Sequence, residues 1–87
     1  MRREGIVESI SFSVLNGLEL TFTGYNGVVY HVNPSNIKMG GKNCEINRFY
    51  VGCKLSFEIG VVNSLENVVI MSDGVREVNE NGELVKY

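Results

Sequence analysis

Three Asn-Gly dipeptides in 87 residues, at Asn16-Gly17, Asn26-Gly27 and Asn81-Gly82, and flanking runs that alternate apolar with polar side chains predict an all-β fold. Asn-Gly favours tight reversal because both residues tolerate the positive φ that a hairpin turn demands. Period-two alternation marks strands with one face buried and the other wet. The first two dipeptides lie ten residues apart, so the N-terminal third reads as a three-strand meander. A chain of 87 residues makes one domain with one core, and 44% hydrophobic with 21% charged residues suits a globular protein.

In the first strand Ile10, Phe12 and Val14 alternate with Ser9, Ser11 and Ser13. In the second, Leu18, Leu20 and Phe22 alternate with Glu19, Thr21 and Thr23; in the third, Val28, Tyr30 and Val32 alternate with Val29, His31 and Asn33. Directly paired residues share a face, so parity sets loop length. A three-residue loop over residues 15–17 pairs Val14 with Leu18, Phe12 with Leu20 and Ile10 with Phe22, whereas a two-residue loop sets Val14 against Glu19. The same parity over residues 25–27 pairs Phe22 with Tyr30 and Leu20 with Val32. Leu18 and Leu20 therefore point inward. The outward face carries Ser9, Ser11, Ser13, Glu19, Thr21, Thr23, Val29 and His31, polar and weakly acidic.

Residues 33–51 break the pattern. Asn33-Pro34-Ser35-Asn36 is turn chemistry, with Ser35 placed to cap a single helical turn, and residues 39–43 read as a flexible loop. Cys53, Leu55, Phe57 and Ile59 then alternate with Lys54, Ser56 and Glu58 in a fourth strand, which makes Cys53 a small buried hydrophobe. Residues 65–71 form a fifth strand whose pattern assigns no inward face. Residues 75–87 predict a hairpin in which a two-residue loop at Asn81-Gly82 pairs Glu77 with Lys86 and Val78 with Val85. Five strands with a long loop after the third fit the OB-fold, a five-stranded Greek-key barrel. Residues 1–72 make the barrel, and residues 73–87 add a C-terminal hairpin to the same domain. An isolated hairpin is marginal in water, so this one is expected to dock on its own barrel or on a second copy, a monomer being favoured over a homodimer.

The net charge of −2 is unevenly spread. Six basic and six acidic residues balance up to residue 72, and the last fifteen residues hold the whole excess. Lys38, Lys42, Arg48 and Lys54 face only Glu45 between residues 38 and 54, a local +3. One histidine and two cysteines, Cys44 and Cys53, are too few for a four-ligand zinc site, so no metal or other cofactor is expected. Scattered carboxylates and a single histidine argue against an enzyme. The chain lacks an apolar run of membrane-spanning length and opens without a signal-peptide pattern, so cytoplasmic residence is expected.

Several short motifs follow in an order that resembles the cold-shock domain, the compact nucleic-acid-binding version of the OB-fold. Gly5-Ile6-Val7 is similar to the glycine-valine opening of its first strand, and Asn16-Gly17-Leu18-Glu19-Leu20 occupies the place of its first RNA-binding motif. Val28-Val29-Tyr30-His31, followed by Ser35 and Ile37, is similar to the second. Residues 49–59 resemble the fourth-strand pattern of a hydrophobe, a glycine and alternating apolar residues, and Leu65-Glu66-Asn67-Val68-Val69 the closing alanine-asparagine-valine. The likeness spans about residues 5–71 and is shared more loosely with S1 and initiation-factor-like barrels. It implies weak single-strand binding through His31, Tyr25 and Tyr50 with Lys38, Lys42, Arg48 and Lys54. Where the family places stacking phenylalanines, this chain has Leu18, Leu20 and Val29. That substitution and the acidic C-terminal hairpin leave a second function open, a protein-interaction module that pairs through a strand edge.

Overall fold

The computed structural model describes residues 2–15, 17–43 and 50–85. These residues form an all-β architecture of nine strands and two short 3₁₀ turns, with no α-helix among them. In chain order the strands are β1 (Arg3–Ser13), β2 (Gly17–Phe22), β3 (Tyr30–Val32), β4 (Ile37–Met39), β5 (Lys42–Asn43), β6 (Lys54–Ile59), β7 (Leu65–Ser72), β8 (Glu77–Val78) and β9 (Leu84–Val85). The ladder runs β3-β2-β1-β6-β7-β4-β5, with β8 pairing β7 and β9. All pairings are antiparallel except β4 with β7, where Ile37 lies opposite Val68 and Met39 opposite Ile70. The path is open, β3 and the head of β7 being joined by a single parallel bridge, His31 with Ser64.

The core follows the period-two pattern where strands are covered on both sides. Leu18, Leu20 and Phe22 from β2 meet Tyr30 and Val32 from β3, Cys53, Leu55 and Phe57 from β6 and its approach, and Leu65, Val68 and Ile70 from β7. Phe22 and Phe57 stack with ring centroids 4.8 Å apart. Cys53 is wholly buried, and burial pushes its thiol above the ordinary value of 9.0, against a smaller opposing effect of the hydrogen bond it accepts from the Tyr50 backbone N–H. The inward leucines, expected from parity, are 5% and 1% exposed.

Strand registers differ from the expected ones. The first hairpin pairs Phe12 with Leu18 and Ile10 with Leu20, because Gly17 joins the ladder opposite Ser13, with Val14 and Leu15 in the turn. A shift of two residues preserves parity, so the faces stay as expected while β1 slides outward. Ile10 is then only half-buried, and Phe12 and Val14 project past the strands that cover Leu18. A bulge between Val7 and Ser9 turns Val7 inward as well. The second connection is also longer than expected, with Leu20 opposite Tyr30 and Leu18 opposite Val32, so Val28 and Val29 fall outside β3.

Three further segments depart from expectation. Asn33, and not Ser35, caps the first 3₁₀ turn, accepting hydrogen bonds from the Ser35 backbone N–H (3.0 Å) and hydroxyl (2.7 Å). Residues 39–43 form a tight hairpin, Met39 opposite Lys42, in place of a flexible loop. Positive φ at Asn67 switches the facing of β7 midway, which is why Leu65 and then Val68 and Ile70 are buried and no single period describes the strand. In the C-terminal pair Glu77 faces Val85 and Val78 faces Leu84, one residue from the expected register, because Asn79 accepts from the Asn81 and Glu83 backbone N–H groups and lengthens the connection. Val78 and Leu84 pack against the core of their own chain. Cys44, Arg48 and Phe49 lie outside the described residues.

Candidate nucleic-acid interface

Three adjoining depressions share lining residues and make one groove across the face of β7. The first, about 350 Å³, is lined by Gly17, His31, Val32, Asn33, Pro34 and Ser64. Asn33 and Ser64 also line the second, about 500 Å³, with Ser35, Asn36, Lys38, Leu65, Glu66 and Asn67. Lys38 and Asn67 pass into the third, about 420 Å³, which adds Arg2, Ser56, Val69 and Met71.

Strand register places the groove's side chains. Ser56, Val69 and Lys38 lie opposite one another across β6, β7 and β4, so they share a face, and Asn43 follows on β5. The Lys38 ammonium donates to the Asn43 side-chain carbonyl and keeps further donors for the groove. Arg2 donates from Nε to Ser56 Oγ (2.8 Å) and from Nη2 to the carbonyls of Ser56 (3.0 Å) and Asn67 (2.6 Å). Its guanidinium is thus held against β6 and β7, with Nη1 outside those bonds. The left-handed backbone of Asn67 accompanies this carbonyl contact, while the Asn67 amide donates to Glu58.

His31 stands at the other end, opposite Glu19 on β2. Its Nδ1 is buried without a hydrogen-bond partner and lies 3.7 Å from Glu19 Oε1. Ser9 and Thr21 share a hydroxyl hydrogen bond of 2.7 Å on the same polar face. Apart from the His31 imidazole, the outward residues Ser9, Ser11, Ser13, Glu19, Thr21 and Thr23 bring no aromatic ring to that face.

The structure brings two of the seven expected residues, His31 and Lys38, into this groove. Tyr25 is turned into the core, its ring 5.8 Å from both Phe22 and Tyr30 by centroid, and its hydroxyl donates to the Glu4 carbonyl at 3.3 Å. The ring is thus partly buried against the core and lies outside the groove's lining. Tyr50 is half exposed but sits by the Gly52–Val7 contact, outside the groove's lining. Lys54 pairs with Glu4 at 3.2 Å and lines a separate hollow beside Glu77 and Val78. Lys42 is exposed on β5 and outside the lining, and Arg48 lies outside the described residues. Arg2, Asn36, Ser64 and Asn67 were not singled out as binding residues by the sequence. Asn33 and Asn36 carried a turn signal, and Arg2 carried none, since its partners are 54 and 65 residues away.

No group of three or more potential metal ligands occurs among the described residues, and no helix among them is long and apolar enough to cross a membrane. A scan against protein-family models finds none that matches, and searches of curated proteins and of solved structures likewise return no match.

Proposed function

We propose that the chain is an OB-type domain, similar to cold-shock domains in strand order, that binds single-stranded nucleic acid weakly, in the cytoplasm and without catalysis. The strand neighbours support the OB reading. β1 lies between β2 and β6, β6 between β1 and β7, and β7 runs parallel to β4, which continues β3 beyond the 3₁₀ turn. Counted as one interrupted strand, β3 and β4 give a five-strand Greek-key order, and the His31–Ser64 bridge draws its two ends together.

The continuous groove from His31 past Lys38 to Arg2 carries the functional reading. Its walls offer amides, hydroxyls and two cations, with Glu66 as the one carboxylate among the lining residues. From Ser64 to Met71 it follows β7 for about 23 Å at roughly 3.3 Å per residue, room for about four nucleotides, the lower end of OB-fold sites. Affinity is weak because the groove's lining holds no phenylalanine, tyrosine or tryptophan ring to stack a base, and each stacked base contributes roughly 1–3 kcal/mol. The same lack of a stacking ring favours the second reading, a protein-interaction module.

Fluorescence anisotropy with labelled oligo-dT and oligo-U at low salt separates the two. Binding at tens of micromolar protein or below, weakened by Lys38→Ala and by Arg2→Ala, supports the groove. An unchanged signal over that range removes nucleic acid and leaves the interaction module.

A further inference from the structure

Two exposed turns that border one depression are apolar and uncharged. Phe12 near the end of β1 and Val14 and Leu15 on the first turn are 73%, 96% and 92% exposed, and Val61 and Val62 on the second are 81% and 84% exposed. The turns converge at their bases. Gly17, which follows the first, and Ser64, which closes the second, line one depression with His31, and His31 bridges Ser64 directly. Residues 9–18 contain one acceptor-rich serine series and no charge until Glu19, and residues 59–65 contain no charge at all.

Val62 adds an independent sign. Its backbone is left-handed, with φ 52 and ψ 41, a region in which a β-branched side chain is crowded and which such turns normally give to Gly or Asn. Asn63 meets that preference and Val62 does not. With its side chain 84% exposed, burial among the described residues does not offset the strain. A strained backbone holding an apolar side chain in water points to a contact beyond the chain.

We propose that these two turns form a self-association surface, occupied by the same two turns of a second copy. Neutrality selects the occupant. An isologous pair sets a patch against its own image, which repels if the patch is charged. Although the chain carries −2, the two turns themselves are uncharged, with the Glu66 carboxylate beside Gly60 at the base of the second. A nucleic acid or an anionic bilayer would call for cations here, and the two segments have none. The area fits a weak pair. About twenty side-chain carbons at roughly 25–30 Å² each give on the order of 500 Å² per copy. Doubled, that reaches about 1,000 Å², the lower edge of specific interfaces, so association is reversible and concentration-dependent.

Sedimentation velocity on the full chain, from low micromolar to about 1 mM, tests this. The wild type is expected to move from monomer toward dimer, and Leu15→Ser and Val62→Gly each to weaken association about tenfold or more. Melting at the lowest concentration checks folding; Val62→Gly should melt no lower than wild type, since glycine relieves the strain. Val14→Ser replaces Leu15→Ser if that variant fails to fold. A wild type that stays monomeric throughout overturns the proposal. So does a dimer unaffected by both variants, which would place the contact elsewhere, or a Val62→Gly melt below wild type, which would mean that the valine is stabilised within its own chain.

Discussion

Gly5 faces the ring of Phe22 so closely that a Cβ there would lie 2.9 Å from Cδ1. Phe22 is fully buried against Phe57 and cannot retreat. Gly5→Ala should therefore lower stability by about 1–3 kcal/mol through overpacking, read as a fall in the urea midpoint. Phe57→Ala, which opens a cavity in the same place, should cost about 3–5 kcal/mol, most of what a domain of this size has. Periodicity in the sequence marked Phe57, but the need for glycine at residue 5 depends on which ring crosses it. Asp73 shows the same dependence. Its Oδ1 accepts from the backbone N–H groups of Arg76 (2.6 Å) and Val75 (2.9 Å), and the Arg76 guanidinium grips Oδ2. Those backbone bonds, more than the guanidinium, hold the carboxyl down from 3.8 to about 2. A depressed folded value means that the stabilisation is fully present above the unfolded value and disappears as pH falls through the folded one. The stability advantage of wild type over Asp73→Asn should thus be constant above about pH 4 and shrink between pH 4 and 2, measured by denaturant melts across that range.

At the scale of elements, parity proved more durable than register. Both N-terminal hairpins slid by two residues, which an alternating sequence tolerates because every side chain keeps its face. What chose the register was tertiary. Tyr25 packs against Phe57 as well as Phe22 and Tyr30 and donates to the Glu4 carbonyl on β1, which ties its connection to distant strands. The sequence predicts a loop where β4 turns into β5, because Gly40-Gly41 carries no strand signal. It is held by the C-terminal segment, where Gly41 N–H donates to the Glu80 carbonyl at 3.3 Å. Gly40, at φ 65, lies so near Gly82 that a Cβ would fall 2.3 Å from its nitrogen. Gly40→Ala should therefore lift β8–β9 off β4–β5 and cost about 2 kcal/mol or more. Hydrogen exchange should show residues 77–85 losing protection before β6 and β7 do.

For the molecule as a whole, the sheet brings Arg2 and Lys38 to one groove and His31 to its far end. If the groove holds single-stranded nucleic acid, two cation contacts give a slope of log affinity against log salt of about −1.4. Arg2→Ala and Lys38→Ala should each remove about half of that slope, and Lys54→Ala, whose partner is Glu4, should change it little. The sequence located the positive charge between residues 38 and 54. It did not locate the groove, because the groove's walls are Ser, Asn and an N-terminal arginine whose roles come from β1, β6 and β7 lying side by side.

The sequence by itself determined which side chains are buried in β2 and β6, since period-two alternation of Leu18, Leu20 and Phe22 and of Leu55 and Phe57 permits one inward face whatever the register. It also determined where the chain reverses, because Asn-Gly and Pro-Ser segments bias backbone dihedrals locally. Only the tertiary structure decided how far each strand slides, which aromatic turns inward at Tyr25, that Gly40 and Gly82 meet, and that Arg2 reaches Asn67. Those outcomes rest on contacts between residues far apart in the chain, where the energy of a pairing depends on what lies opposite and no local pattern records it.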